Sequence, residues 1–152
     1  MGKVIIIGYG NPLRGDDGLG PAAAQSLEEI LQDKDTIVMA KHQMGVELST
    51  ELSEADLAIF IDARVGGSPG QLVEEKVIPE DSVPSSFSHH LQPGVLISVV
   101  RALYNKYPEA YLFSVSAESF EHGEGLTPSV EAILPELVER VLARISSFRV
   151  GI

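Results

Sequence analysis

Gly8-Tyr9-Gly10-Asn11-Pro12-Leu13-Arg14-Gly15-Asp16-Asp17-Gly18-Leu19-Gly20 joins a short apolar run, Val4-Ile5-Ile6-Ile7, to an alanine-rich segment opening at Pro21. The apolar run reads as a buried strand. The alanine-rich segment reads as a helix with proline in its first turn, where the missing N–H costs nothing. A glycine-rich loop between a first strand and a first helix is a common cradle for phosphate. This loop departs from that pattern twice. Position 13 is Leu where a dinucleotide fingerprint needs its third glycine, and Asp16-Asp17 stand where a P-loop carries Lys-Ser/Thr. Two carboxylates repel a phosphate. The loop therefore points toward cations.

Outward from the loop, strand-like runs cover residues 3–7, 36–40, 56–62, 71–78 and 111–116. The run at 56–62 is apolar without alternation and ends at Asp62, so it is expected at the centre of a sheet, buried on both faces. The run at 71–78 alternates imperfectly after a short Gly/Pro turn, which makes it a candidate antiparallel edge. Leu27, Ile30 and Leu31 have helical spacing in the first helix. A short helix is expected over 46–53 with Val46, Leu48 and Leu52 inward. A third helix follows Ser88-His89-His90, with Leu91, Val95, Val99 and Leu103 recurring every four residues to about position 106. A fourth begins at Thr127-Pro128, cap and first turn, and runs to about 147 on a stripe that includes Val130, Ile133, Leu134, Leu137, Val138, Val141 and Leu142. The order β-α-β-α-β-β-α-β-α predicts a three-layer α/β sandwich.

The 152 residues read as one domain, 1–152, long enough to bury a core without staples. Hydrophobic residues make up 44% and aromatics only 6%, so that core is aliphatic. Eleven basic against 22 acidic side chains leave a net charge of -11, which excludes the basic face of a nucleic-acid binder. Cysteine is absent, so any metal must be held by His, Asp, Glu or backbone oxygen. No apolar run approaches the ~20 residues of a membrane span. The chain opens directly on a strand, so no signal peptide is expected and a cytoplasmic location is.

In an open parallel sheet, ligands collect beyond the carboxyl ends of the strands. Asp17 follows the first strand, Asp62 ends the third, and His90 opens the helix after the fourth, so the topology can bring all three to one edge. Two carboxylates and an imidazole suit a divalent transition metal. The spacing also admits plainer roles: Asp16 and Asp17 as helix caps, Asp62 as a strand-end turn residue. His42 reads as a loop histidine, and His122 among Glu118, Glu121 and Glu124 as part of a solvated acidic loop. No serine sits in a Gly-x-Ser-x-Gly elbow, so a serine hydrolase is not expected.

Taken together, Gly8-Tyr9-Gly10-Asn11 with Asp16-Asp17, Gly45-Val46-Glu47-Leu48, Ile59-Phe60-Ile61-Asp62-Ala63, Ser88-His89-His90, and Glu118-Ser119-Phe120-Glu121 with the segment 125–131 resemble the hydrogenase maturation endopeptidases, in order and over nearly the whole chain. These enzymes trim a C-terminal extension from the nickel-containing large subunit of [NiFe] hydrogenases. The resemblance implies a five-stranded, twisted, mostly parallel (mixed) sheet with helices on both faces. It places the family's metal-binding positions on Asp17, Asp62 and His90, the last chosen from the Ser-x-His spacing. It implies that these read nickel already inserted in the precursor, and that they serve the hydrolysis. The implied partner is the large-subunit precursor, and the implied state a monomer. Asp16, Asn11 and Gly45 are expected to shape the loop or orient substrate. A non-proteolytic metal-binding or chaperone-like protein of the same fold is the alternative.

Overall fold

The computed structural model describes residues 2–81 and 91–151. Its strands are β1 (Val4–Tyr9), β2 (Thr36–Lys41), β3 (Leu57–Arg64), β4 (Leu72–Val77) and β5 (Glu109–Ser116). Its helices are α1 (Leu19–Ile30), α2 (Ser49–Glu54), α3 (Pro93–Tyr104) and α4 (Pro128–Val150). Single 3₁₀ turns at Gly15–Gly18 and Val46–Leu48 lead into α1 and α2.

The five strands lie in the order β2-β1-β3-β5-β4. The first four pair in parallel, and β4 closes the edge antiparallel to β5. The central position of β3 follows from its sequence. Residues 57–61 are all buried, because helices cover both faces. Alternation then sorts the side chains. Ile6, Ile59 and Ile61 pack with Leu19, Leu27, Leu137 and Val141 of α1 and α4. Ile5, Ile7, Ala58 and Phe60 pack with Leu48, Leu52, Leu96, Ile97 and Val100 on the α2 and α3 side. This is the expected three-layer α/β/α sandwich.

The glycines of the opening loop serve close packing. Helix α1 starts two residues before Pro21, and its Gly20 lies directly on the sheet. A Cβ at Gly20 would stand 2.5 Å from Tyr9 N and O and 2.7 Å from Ile61 O, all backbone atoms that cannot yield. Gly8 faces Gly20 O in the same tight contact. Gly10, at φ +142, lets the chain fold back so that its α-carbon meets the Asp17 backbone. Gly20→Ala is therefore expected to cost about 3 kcal/mol or more by overpacking, read as a lowered urea midpoint. Unchanged stability would mean that α1 does not sit this close.

Four local expectations change. Val46 is 59% exposed, because the chain there forms a 3₁₀ turn and only Leu48 and Leu52 reach the core. Helix α3 buries Leu96, Ile97 and Val100, leaving Leu103 63% exposed. A four-residue spacing advances about 40° per step around a helix, so the stripe 91-95-99-103 slides off the buried face. Strand β3 runs two residues past Asp62, so Asp62 lies within the strand and not at its end. Thr127 precedes α4 as expected, but its hydroxyl makes no cap bond to that helix.

Candidate active site

Chain direction around the sheet reverses between β1 and β3. The chain leaves β1 for β2 on one side, then returns to place β3 on the other. Such a switch point opens a crevice at the carboxyl ends of the strands. The loop after β1 carries Asp17 into it, and the carboxyl-terminal part of β3 carries Asp62. Both expected carboxylates thus reach one place, close enough for the Asp17 charge to act on Asp62.

Asp17 is held from within its own loop. The Asn11 N–H donates to Asp17 Oδ2 at 2.7 Å, and the Asn11 side chain accepts the Leu13 N–H at 3.0 Å. Asn11 thus shapes the loop, as the sequence suggested. Gly45 supplies the extended residue before the 3₁₀ turn of Val46–Leu48.

Asp62 shares the α2/α3 face of the sheet with Tyr9 of β1. Burial is the main reason its carboxyl holds a proton up to about pH 7, against 3.8 ordinarily, with the Asp17 charge adding to it. The Ala63 backbone N–H and the Tyr9 hydroxyl oppose that shift. The Tyr9 oxygen is itself buried, and it lies beside this carboxyl but outside the geometry of a formed hydrogen bond. Burial and the Asp62 charge raise the phenol's own pKa. Among the described residues, no lysine or arginine pairs with Asp17 or Asp62. Two close carboxylates with no ion-pair partner among the described residues form a site that gains from a divalent cation.

The neighbouring aspartate does something different. Asp16 is fully buried. It accepts the backbone N–H groups of Glu118 at 2.8 Å, Ser119 at 3.0 Å and Thr127 at 2.7 Å. The Thr127 hydroxyl also donates to it, at 2.8 and 2.9 Å from the two oxygens. Burial alone would raise its pKa, but these donors outweigh burial and hold the carboxyl below its ordinary value. Backbone bonds from Gly15 N to Gly123 O and from Gly123 N to Leu13 O complete the seam. Asp16 therefore fastens the 117–127 loop to the opening loop, beside the crevice.

His90, the third expected residue, lies outside the described residues. Its neighbour Leu91 donates its N–H to Met44 O at 3.2 Å and packs on the cluster containing Ile7 and Phe60, on Asp62's face of the sheet. Among the described residues no three His, Asp or Glu side chains converge as a metal site. His42 and His122 are exposed, as are Glu118, Glu121 and Glu124. Tyr9 and Arg64 were not singled out from sequence. A register argument from Asp62 could have found both, since Tyr9 and Arg64 fall at the same carboxyl edge.

Fold and site define a class. This is a doubly wound α/β domain whose switch-point crevice carries paired carboxylates where nucleotide-binding domains carry phosphate-binding groups. No family model matches the chain. The chain is 31% identical over 150 residues to the hydrogenase 2 maturation protease of Escherichia coli (strain K12), covering 93% of this chain and 89% of that protein. It is 29% identical over 155 residues to the hydrogenase expression/formation protein HoxM of Azotobacter vinelandii, covering 91% and 73%. Its fold matches the hydrogenase maturating endopeptidase HybD from E. coli with a TM-score of 0.78 at 28% identity, over 95% of this chain and 93% of that one. The chain belongs to the hydrogenase maturation endopeptidase family, and its fold and relatives are those of a peptidase.

Proposed function

We propose that this peptidase removes the C-terminal extension of a nickel-loaded [NiFe] hydrogenase large-subunit precursor, and that Asp17, Asp62 and His90 contact the precursor's nickel. The observation that carries this reading is the juxtaposition of Asp17 and Asp62 at the switch point, without a cationic partner among the described residues. Carboxylate oxygens and an imidazole form a donor set that nickel accepts. A divalent ion there polarises a peptide carbonyl or a water.

The protein's own groups supply the rest. Asn11 holds Asp17 in place. In the free protein Asp62 holds its proton up to about pH 7, and engaging the precursor's nickel would require it to ionise, so substrate binding would release that proton. Burial beside Tyr9 keeps bulk water from screening that carboxyl. The site acts only on a precursor that brings its metal, so metal dependence belongs to the substrate. The protein works in the cytoplasm as a monomer. No helix among the described residues is long and apolar enough to cross a membrane.

Mass spectrometry of the nickel-loaded precursor incubated with wild-type protein or with Asp17→Asn, Asp62→Asn or His90→Ala tests this. Wild type is expected to release the extension, and each variant to do so at least ~100-fold more slowly, as for loss of a group acting in the transition state. Wild-type rates in all three variants would sink the assignment. Failure of the wild-type protein to cleave would leave the non-proteolytic, metal-binding reading of the same fold.

A further inference from the structure

The chain has six arginines in a strongly acidic sequence. Four pair with carboxylates: Arg101 with Asp81, Arg140 with Glu136, Arg144 with Glu74 and Arg149 with Asp33. Arg14 and Arg64 have no such partner among the described residues. Arg14 is exposed on the opening loop, and its side chain makes no hydrogen bond to a described residue. Arg64 is different, because it is fixed in place by neutral groups only. Its Nη1 donates to Ser114 O at 2.8 Å and to Ser114 Oγ at 3.1 Å, and its Nη2 donates to Gln71 Oε1 at 3.2 Å.

The position of that guanidinium follows from register. Arg64 lies two residues beyond Asp62 on β3, so both side chains leave the same face of the sheet. Ser114 of β5 is the register partner of Asp62 itself. By reaching back to Ser114, the guanidinium comes to the level of Asp62, one strand across. Neighbouring strands lie roughly 5 Å apart. Arg64 nevertheless forms no ion pair with Asp62. Three of its five N–H groups are engaged, and Nε donates to no described residue. A half-buried, immobilised guanidinium that keeps its charge and spare donors beside a carboxylate pair is suited to an oxygen acceptor from outside the chain.

We propose that Arg64 is a substrate-binding residue that grips an oxygen acceptor of the precursor polypeptide, within a residue or two of the bond that is cut. An extended peptide advances about 3.3 Å per residue, so a displacement of one strand spacing, roughly 5 Å, corresponds to one or two residues of substrate. The acceptor is either a main-chain carbonyl or a carboxylate. This inference rests on the peptidase reading above.

Steady-state cleavage of nickel-loaded precursor by wild type, Arg64→Gln and Arg64→Lys tests it, with thermal midpoints measured alongside. Arg64→Gln is expected to raise KM at least tenfold with kcat within threefold of wild type. Arg64→Lys, which keeps the charge but loses the planar fork, is expected to fall between. A wild-type KM that climbs with salt and an Arg64→Gln KM that does not would identify a carboxylate; salt-independent values in both would identify a main-chain carbonyl. Two results would overturn the proposal: wild-type KM in Arg64→Gln, or wild-type KM in an Arg64→Lys protein that melts like wild type. No cleavage by wild type would instead overturn the peptidase reading on which it rests.

Discussion

Asp62→Asn is expected to make the free protein more stable at pH 8 while removing its activity. The Asp62 carboxyl titrates near 7 in the fold and near 3.8 when unfolded, because burial and the Asp17 charge disfavour its ionised form. Below about pH 4 both states hold the proton and the residue contributes no pH dependence. Between about 4 and 7 the unfolded chain releases the proton and the folded chain retains it. Stability therefore falls as pH rises through that window. Above 7 the penalty is complete, on the order of 2–4 kcal/mol for a shift of this size. Asparagine has nearly the same shape and carries no charge, so it escapes the penalty. For a domain of this length the gain corresponds to a rise in Tm of roughly 4–16 °C at pH 8, shrinking to nothing near pH 4. Denaturant melts of both proteins across pH 4–8 would show it. An Asp62→Asn protein less stable than wild type at pH 8 would contradict this, and would mean that a cation or further hydrogen-bond donors hold the ionised carboxylate.

The second large effect separates the two adjacent aspartates. Asp16→Ala strands three backbone N–H groups and a hydroxyl inside the protein. Each buried donor without a partner costs about 1–3 kcal/mol, and the contributions are not additive. A loss of about 3–5 kcal/mol is expected. Asp16→Asn should fare little better, since its amide group would face donors. Asp17→Asn should change stability by less than about 1 kcal/mol, because Asp17 is only partly buried and asparagine keeps an acceptor for the single Asn11 N–H. Hydrogen exchange would localise the Asp16 effect to Glu118, Ser119 and Thr127. The linkage has a definite sign. The folded-state pKa of Asp16 is depressed, so its contribution is present above about pH 4 and is lost as pH falls further, through the folded value. Asp17→Asn more damaging to stability than Asp16→Asn would reverse this division of labour.

That division was the least legible part of the sequence. Asp16 and Asp17 are neighbours of identical chemistry, and local pattern offers helix capping for both. What distinguishes them is contact with residues 118–127, a hundred positions along the chain. Thr127 shows the same limit from the other side. Its place before Pro128 correctly marked the start of α4, yet its hydroxyl serves Asp16 instead of the helix end. Long-range partners of this kind leave no periodic trace.

Where the signal was periodic and local, it was readable. The unbroken apolar run ending at Ile61 placed β3 at the centre of the sheet, and the imperfect alternation of residues 71–78 placed β4 at an antiparallel edge. The loop glycines were visible, but their purpose was not. Gly8, Gly10 and Gly20 look like a phosphate cradle until backbone approach is measured, and then they prove to press α1 and its loop onto β1 and β3. That contact brings Asp17 to Asp62. Arg64 escaped notice because its meaning depends on register with Ser114, which exists only once β3 and β5 are paired.

A crystal of the protein soaked with nickel, with the metal located by anomalous scattering, tests the central claim most directly. The expected result is one strong peak at bonding distance from carboxylate oxygens of both Asp17 and Asp62, with an imidazole completing the set. A well-occupied peak elsewhere, such as on His122 and the glutamates around it, with none between Asp17 and Asp62, would contradict it.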